Sequence, residues 1–228
     1  MISGANRGFG EALAKRLHAE GYRISAGARN VDALSGALDN LGGERMLCHQ
    51  FDASDPSHAQ AWVDATVDTF GGVDAVVNNA GVLDQAALED LTEDSLDEMW
   101  EVNVKGPLRL IRAALPHLRR CGQGRVVNVS SLSGLRVKGV FAPGYAISKF
   151  AVTALTEAVK NAGWDDGIRT TALCPGFINT DMTATFGEDP ATMIQPDDLA
   201  ELVTTVLALP NTASVGQLAV ACRLEPGF

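Results

Sequence analysis

The sequence predicts an α/β chain built on one doubly wound, mostly parallel sheet of seven strands, with helices on both faces. Three observations predict it. Short β-rich runs alternate with amphipathic stretches along all 228 residues, the pattern of βαβ units. A glycine-rich stretch, "SGANRGFG" at 3–10, runs directly into an amphipathic segment. Polar residues also collect where the predicted strands end, at Gly4–Gly10, Arg29, Asp52, Asn78–Gly81, Ser130–Ser131 and Pro175–Gly176. In an open α/β sheet that is the side on which ligands bind.

The elements follow in order. Only Met1 and Ile2 precede Ser3, whereas a strand ordinarily needs about five residues. The first strand is therefore expected as a truncated stub, unless the native start lies upstream. "GEALAKRLHAEG" (10–21) places Ala12, Leu13 and Leu17 on one helical face and stops at Gly21. "YRISAGAR" (22–29) and "RMLCHQFDA" (45–53) read as strands, and Asp55-Pro56-Ser57 opens a helix running to about Thr69. "VDAVVNNAG" (73–81) reads as a buried strand, and a long helix is expected across 95–119. "GRVVNVSS" (124–131), "IRTTALCPG" (168–176) and "GQLAVACR" (216–223) are the remaining strands. "YAISKFAVTALTEAVKNAG" (145–163) and "PDDLAELVTTVLAL" (196–209) are helices, the second with Pro at its start, where a missing N–H costs little. About six helices result, with no repeat and no linker to divide the chain.

Composition narrows the function classes. Hydrophobic residues make up 46% of the chain, enough for a sizeable core, and the formal net charge is −10. That balance argues against nucleic-acid binding, which rests on clustered Lys and Arg. It leaves room for a phosphate-bearing small molecule held by backbone N–H groups and one or two arginines. Cys48, Cys121, Cys174 and Cys222 are scattered, with no CxxC pair, so neither a disulfide framework nor a metal site is expected. No apolar run reaches the roughly 18 residues of a membrane span, and no basic-then-apolar leader is present. The expected compartment is the cytoplasm.

The chemistry-bearing residues fall into three groups. The glycines at 4, 8 and 10 allow positive φ and close backbone approach, and the helix after them offers N–H groups to an anionic phosphate. Such a turn also serves simply to pack a helix on a sheet. At the end of the second strand an acid would suit a ribose 2′-hydroxyl, and an arginine a 2′-phosphate. The chain has Arg29 there and Arg7 in the glycine turn, a pair that favours NADP(H) over NAD(H). Asp52 reads either as an acceptor for an adenine amine or as a helix cap. Finally, Ser131 ends a strand, and Tyr145 and Lys149 lie four apart on one helix face. An ammonium beside a tyrosine stabilises its phenolate. The tyrosine then exchanges a proton with a hydroxyl or carbonyl oxygen to which Ser131 also bonds.

Together these stretches resemble the short-chain dehydrogenase/reductase family over essentially the whole length. The resemblance is carried by "SGANRGFG", "DA" at 52–53, "NNAG" at 78–81, Asn103 in "EVNVKGP", "VVNVSS" at 126–131, "YAISK" at 145–149 and "PGFINTDM" at 175–182. It implies one NAD(P)-binding Rossmann-fold catalytic domain over 1–228. Tyr145 would be the general acid/base, and Lys149 would lower its pKa and hold the nicotinamide ribose. Ser131 would orient the substrate oxygen, and Asn103 would kink its helix and hold a water leading to Lys149. Gly4, Asn6, Arg7, Gly8, Phe9, Gly10, Arg29, Asp52 and Ala53 would contact the cofactor. Asn78, Ala80 and Gly81 would line its adenosine side, and Pro175, Gly176, Ile178 and Thr180 its nicotinamide, with Tyr145 and Lys149.

Without that set, Asn103 reads as a satisfied helix polar group and Thr180 as a helix cap. Ser131 and Tyr145 are fourteen apart, one more than the common family spacing, so Ser130 and Ser133 also stand as candidate hydroxyls. The implied activity is NADP(H)-dependent interconversion of a ketone or aldehyde and an alcohol, with NAD(H) possible and a small molecule as substrate. The alternative is a catalytically silent dinucleotide-binding protein on the same fold. A homo-oligomer, dimer or tetramer, is implied, although "LAVACRLEPGF" at 218–228 lacks the Gly-rich ending of tetrameric members.

Overall fold

The computed structural model describes residues 1–138 and 140–225. Its strands are β1 (Ile2–Ser3), β2 (Ile24–Ala28), β3 (Met46–Gln50), β4 (Ala75–Asn78), β5 (Arg125–Val129), β6 (Arg169–Pro175) and β7 (Gln217–Val220). They form one sheet in the order β3-β2-β1-β4-β5-β6-β7. Each strand pair is parallel, so the mostly parallel sheet expected from the sequence is wholly parallel among the described residues. The order reverses between β1 and β4, which opens a crevice at the carboxyl ends of the strands.

The helices are α1 (Gly8–Ala19), α2 (Val31–Ala37), α3 (His58–Phe70), α4 (Glu93–Met99), α5 (Gly106–Cys121), α6 (Pro143–Gly163) and α7 (Pro196–Ala208). Side chains alternate across a strand, and this alternation divides the core in two. Val77, Val127 and Leu173 face one layer with Leu13, Leu17, Leu199 and Val203 of α1 and α7. Val76 and Val126 face the other, with Trp62, Val63, Leu110 and Leu118 of α3 and α5. Among the described residues no helix is long and apolar enough to cross a membrane.

β1 is the stub its sequence predicts, yet it sits at the centre of the sheet. Main-chain groups on either side of it complete the ladder. The Met1 carbonyl accepts from Val77 N at 2.8 Å, and Gly4 N donates to the Gly27 carbonyl at 2.7 Å.

Two local features depart from the sequence expectation. The segment after β2 holds α2, whose N-cap Asn30 accepts from Ala33 N at 2.9 Å; seven residues are too few for a clear helical period. The long helix expected over 95–119 is divided, around the Asn103 kink that the resemblance implies, into α4, a π-helical stretch Trp100–Lys105, and α5. Pro107 has no N–H to donate to the carbonyl of Asn103, four residues back, and the ladder widens at that point. Gly106 is pressed onto Ala53, whose Cβ would lie 2.7 Å from an added side chain.

Candidate active site

One cleft of about 470 Å³ follows the carboxyl ends of the strands. At its inner end Ser131, Tyr145 and Lys149 line it, and at its outer end the glycine turn, Arg7, Arg29 and Asp52.

The turn is shaped for an anion. Gly4 and Gly8 have φ of +67° and +58°, values that L side chains adopt only under strain. α1 starts at Gly8, and the side chain of its N-cap residue, Arg7, makes no capping hydrogen bond. The first N–H groups of α1 and the helix dipole point into the cleft, which fits the pyrophosphate of a dinucleotide. Ser3 Oγ accepts from Asn79 N and Ala80 N, both at 3.0 Å, and so ties the turn to the end of β4.

Most of the sequence candidates line this cleft: Gly4, Asn6, Arg7, Gly8, Phe9, Arg29, Asp52, Ala53, Ala80, Gly81, Ser131, Tyr145, Lys149, Pro175, Gly176, Ile178 and Thr180. Three stand back from it. Gly10 lies behind the turn, where a Cβ would come within 2.3 Å of the Gly4 carbonyl oxygen; it lets α1 approach and touches no ligand space. Asn78 points along the sheet and donates to Asn128 Oδ1 at 2.8 Å, and Asn128 donates in turn to Thr156 Oγ1 at 2.9 Å. Its neighbour Asn79 lines the cleft instead, as strand alternation would have indicated. Asn103 is also walled off. Its Oδ1 accepts from Val82 N at 2.8 Å, and its Nδ2 donates to the Val82 carbonyl at 2.9 Å and to Ser148 Oγ at 3.0 Å. Ser148 Oγ donates to the Tyr145 carbonyl at 2.8 Å, so Asn103 braces the helix turn between Tyr145 and Lys149.

Among the candidate hydroxyls the geometry discriminates. Ser130 is buried, with its hydroxyl on the Lys149 carbonyl and Thr153 Oγ1, both at 2.9 Å. Ser133 gives its backbone N–H to Ser131 Oγ at 3.1 Å. The Ser131 hydroxyl stands beside the Tyr145 phenol at the inner end of the cleft. Removal from water pushes that phenol up to about 12, and the nearby Ser131 hydroxyl only partly offsets the rise. This differs from the expectation that Lys149 would lower it. The Lys149 ammonium donates to the Val129 carbonyl at 2.7 Å and lies 5.4 Å from the centre of the Tyr145 ring. Burial brings Lys149 itself down to about 8.

The outer end differs from the sequence picture in one respect. Arg7 does not join Arg29 as a clamp without an acid nearby; it pairs with Asp181 at 3.0 Å. Asp52 caps no helix. Its Oδ1 accepts from the hydroxyl and N–H of Ser54, at 2.7 and 2.9 Å. The Ser54 hydroxyl, with smaller help from the Arg29 charge, holds Asp52 below the usual carboxylate range. Asp55 organises the start of α3, through Ser57 N at 2.8 Å. Thr180 likewise caps nothing; its Oγ1 turns to the Ile178 carbonyl at 3.4 Å.

Comparison with known proteins gives the lineage. The sequence model of the short chain dehydrogenase family matches residues 1–191. The chain belongs to that family of oxidoreductases. An agropine synthesis reductase of Rhizobium rhizogenes is 42% identical over 227 residues, 99% of this chain and 52% of that protein. The chain thus spans about half the length of that relative. An uncharacterised oxidoreductase of Staphylococcus aureus is 30% identical, over 96% of this chain and 95% of its own. Among solved structures, an alcohol dehydrogenase of Thermococcus sibiricus complexed with 5-hydroxy-NADP has a TM-score of 0.91 and 32% identity, covering 100% and 97% of the two chains. A 3-ketoacyl-(acyl-carrier-protein) reductase of Brucella melitensis complexed with NADH has a TM-score of 0.90 and 27% identity, covering 97% and 95%. Both solved structures thus share the fold of this chain over nearly its whole length.

Proposed function

We propose that the chain is an NADP(H)-dependent carbonyl reductase or alcohol dehydrogenase. The observation that carries this is the grouping of Ser131 and Tyr145 beside the Lys149 ammonium, at the inner end of a cleft that begins on a helix N-terminus whose N-cap side chain makes no capping bond. When bound, a nicotinamide dinucleotide supplies or takes the hydride. Its pyrophosphate fits the glycine turn, its adenosine the side of Asp52, Ala53 and Ala80, and its nicotinamide the side of Gly176, Ile178 and Thr180.

The chain's own residues do the rest. Ser131 donates to the carbonyl oxygen and fixes its position. Tyr145 gives that oxygen its proton as the carbonyl carbon becomes an alcohol carbon. A phenol pushed up to about 12 stays protonated at neutral pH, so in reduction it enters the step as the proton donor. Lys149 stabilises the phenolate left behind, and the proton returns from solvent before the next turnover. Arg29, exposed at the end of β2 with no acid at its own position, supports preference for a 2′-phosphate. Arg7 can add to it when released from Asp181.

The test is to mix the protein with NADPH and a panel of ketones and aldehydes and follow nicotinamide absorbance. Turnover should fall by a factor of roughly 10³ in Tyr145→Phe. Equal rates in parent and variant would overturn the reading, and cofactor binding without turnover on any carbonyl would favour a silent sensor. NADPH should bind more tightly than NADH.

A further inference from the structure

Beyond Ser131 and Tyr145 the cleft ends in a compartment with an aromatic wall and a cationic rim. Phe141 and Phe177 pack on Phe186 with ring centres 5.4 and 5.3 Å apart. Arg223 lies over Phe177 at 4.9 Å, and Arg136 and Lys138 stand opposite on the loop that follows Ser131. All of these line the cleft.

Each piece is attached to a segment that carries a site group. Arg136 N donates to the Leu132 carbonyl at 3.2 Å, one residue after Ser131. Phe177, beneath Arg223, is two residues past Pro175, whose carbonyl takes the Ser131 hydroxyl at 3.5 Å. Phe141 is four residues before Tyr145.

The rim already holds a carboxylate. Glu225, with a side chain only 9% exposed, pairs with Arg136, with Lys138 at 3.0 Å and with Arg223 at 3.4 Å. Glu188 takes Arg223 Nη1 at 2.9 Å. Among the described residues, Arg223 and Lys138 thus share Glu225, and Arg223 also holds Glu188. Donors remain as well. Arg223 commits Nε and Nη1, while its Nη2 makes no hydrogen bond among the described residues. The Lys138 side chain is 56% exposed, and among the described residues it uses one of its three N–H groups, on Glu225. A stacked guanidinium and a flexible ammonium around one apolar pocket suit an anion on a hydrophobic stem.

We infer that the substrate is a carbonyl compound bearing a carboxylate on an apolar or aromatic stem, with the carboxylate docked on Arg223 and Lys138 at the rim of the compartment. This rests on the reading of the cleft as a carbonyl site. The carbonyl then reaches Ser131 and Tyr145 while the stem packs on Phe177 and Phe186. The charge acts on binding, so its effect falls on KM more than on kcat.

The test uses matched pairs: 4-acetylbenzoate and its methyl ester, and levulinate and its methyl ester, each with NADPH. The acid should exceed its ester in kcat/KM by at least about tenfold at low salt, mostly through KM, and the advantage should shrink in 0.5 M NaCl. Arg223→Ala and Lys138→Ala should each lower the acid-to-ester ratio severalfold, and Arg223→Lys should restore part of it. Esters reduced as well as acids, or a ratio unchanged in both alanine variants, would overturn the inference and leave the carbonyl reading intact. A second arm needs no chemistry. Calorimetric titration of 4-isopropylbenzoate and its amide into the protein with NADP+ should give binding of the acid that depends on Arg223. That result without turnover of any carbonyl would sink the reductase reading and keep the anion site. Equal binding of acid and amide would remove the anion site.

Discussion

The two ends of the cleft are built differently. At the inner end Lys149 is 4% exposed, and each group is placed by a regular element. Ser131 follows the end of β5, and Tyr145 and Lys149 share one face of α6. At the outer end Arg7 and Asp181 have side chains 68% and 73% exposed and meet across the cleft from positions far apart in sequence. Strand ends and helix spacing decide where the buried groups sit, whereas pairing across the fold decides where the exposed ones point. Substitutions inside should therefore give large, pH-dependent effects, and substitutions outside small, salt-dependent ones.

Lys149→Met is the sharpest probe of the inner end. Reductase activity should drop by roughly 10²-fold or more, because the phenolate formed on proton transfer loses its cation. Stability should move the other way. Burial lowers Lys149 from 10.5 to about 8, so the folded state disfavours its charge. The resulting penalty is fully present below pH 8, fades as pH rises toward 10.5, and disappears when the amine is removed. Denaturant unfolding at pH 7 should show the variant more stable by about 1–3 kcal/mol. A less stable variant would mean that the Val129 hydrogen bond outweighs burial.

The same group sets a pH limit on the parent. Lys149 loses its charge as pH rises through about 8, well before Tyr145 deprotonates near 12. The rate of carbonyl reduction should therefore be flat below that point and decline above it, and Lys149→Met should lack the break. A parent profile flat to pH 10 would separate Lys149 from the proton transfer.

What could be read from the sequence follows the same division. The alternating pattern located all seven strands, and the four-residue spacing put Tyr145 and Lys149 together, because period and handedness are local properties of the chain. Ser131 needed the fold to stand apart from Ser130, since the two differ only in which face of a strand end they occupy. Asn78 and Asn79 were exchanged for the same reason. α2 was too short to show a period, and the break around Asn103 turned on a single proline beyond the expected kink. Asp181, Arg223 and Glu225 carried no local signal; only the closing of the loops over the cleft brings them to it.

At the outer end Arg29→Ala tests cofactor choice. Removing the guanidinium should weaken NADPH about tenfold and leave NADH nearly unchanged, measured by fluorescence titration at fixed salt. Equal weakening of both cofactors would place Arg29 against the adenosine rather than the 2′-phosphate.

Asp181→Asn should have the smallest effect and is informative for that reason. In the parent, Arg7 is held by Asp181 at 3.0 Å, and an exposed pair of this kind contributes little to stability. Neutralising the aspartate should leave the melting temperature nearly unchanged. It also frees Arg7 and removes a negative charge from the mouth, so NADPH should bind roughly two- to fivefold more tightly at low salt. NADH, which lacks the 2′-phosphate, should gain much less, and the difference should fade as salt rises. If both cofactors instead bind more weakly and dissociate faster, the pair works as a clasp. It would then hold the glycine turn against the segment around Thr180, whose Cγ2 already lies 3.0 Å from where a Gly8 side chain would start. In that case Arg29 alone would carry the 2′-phosphate preference.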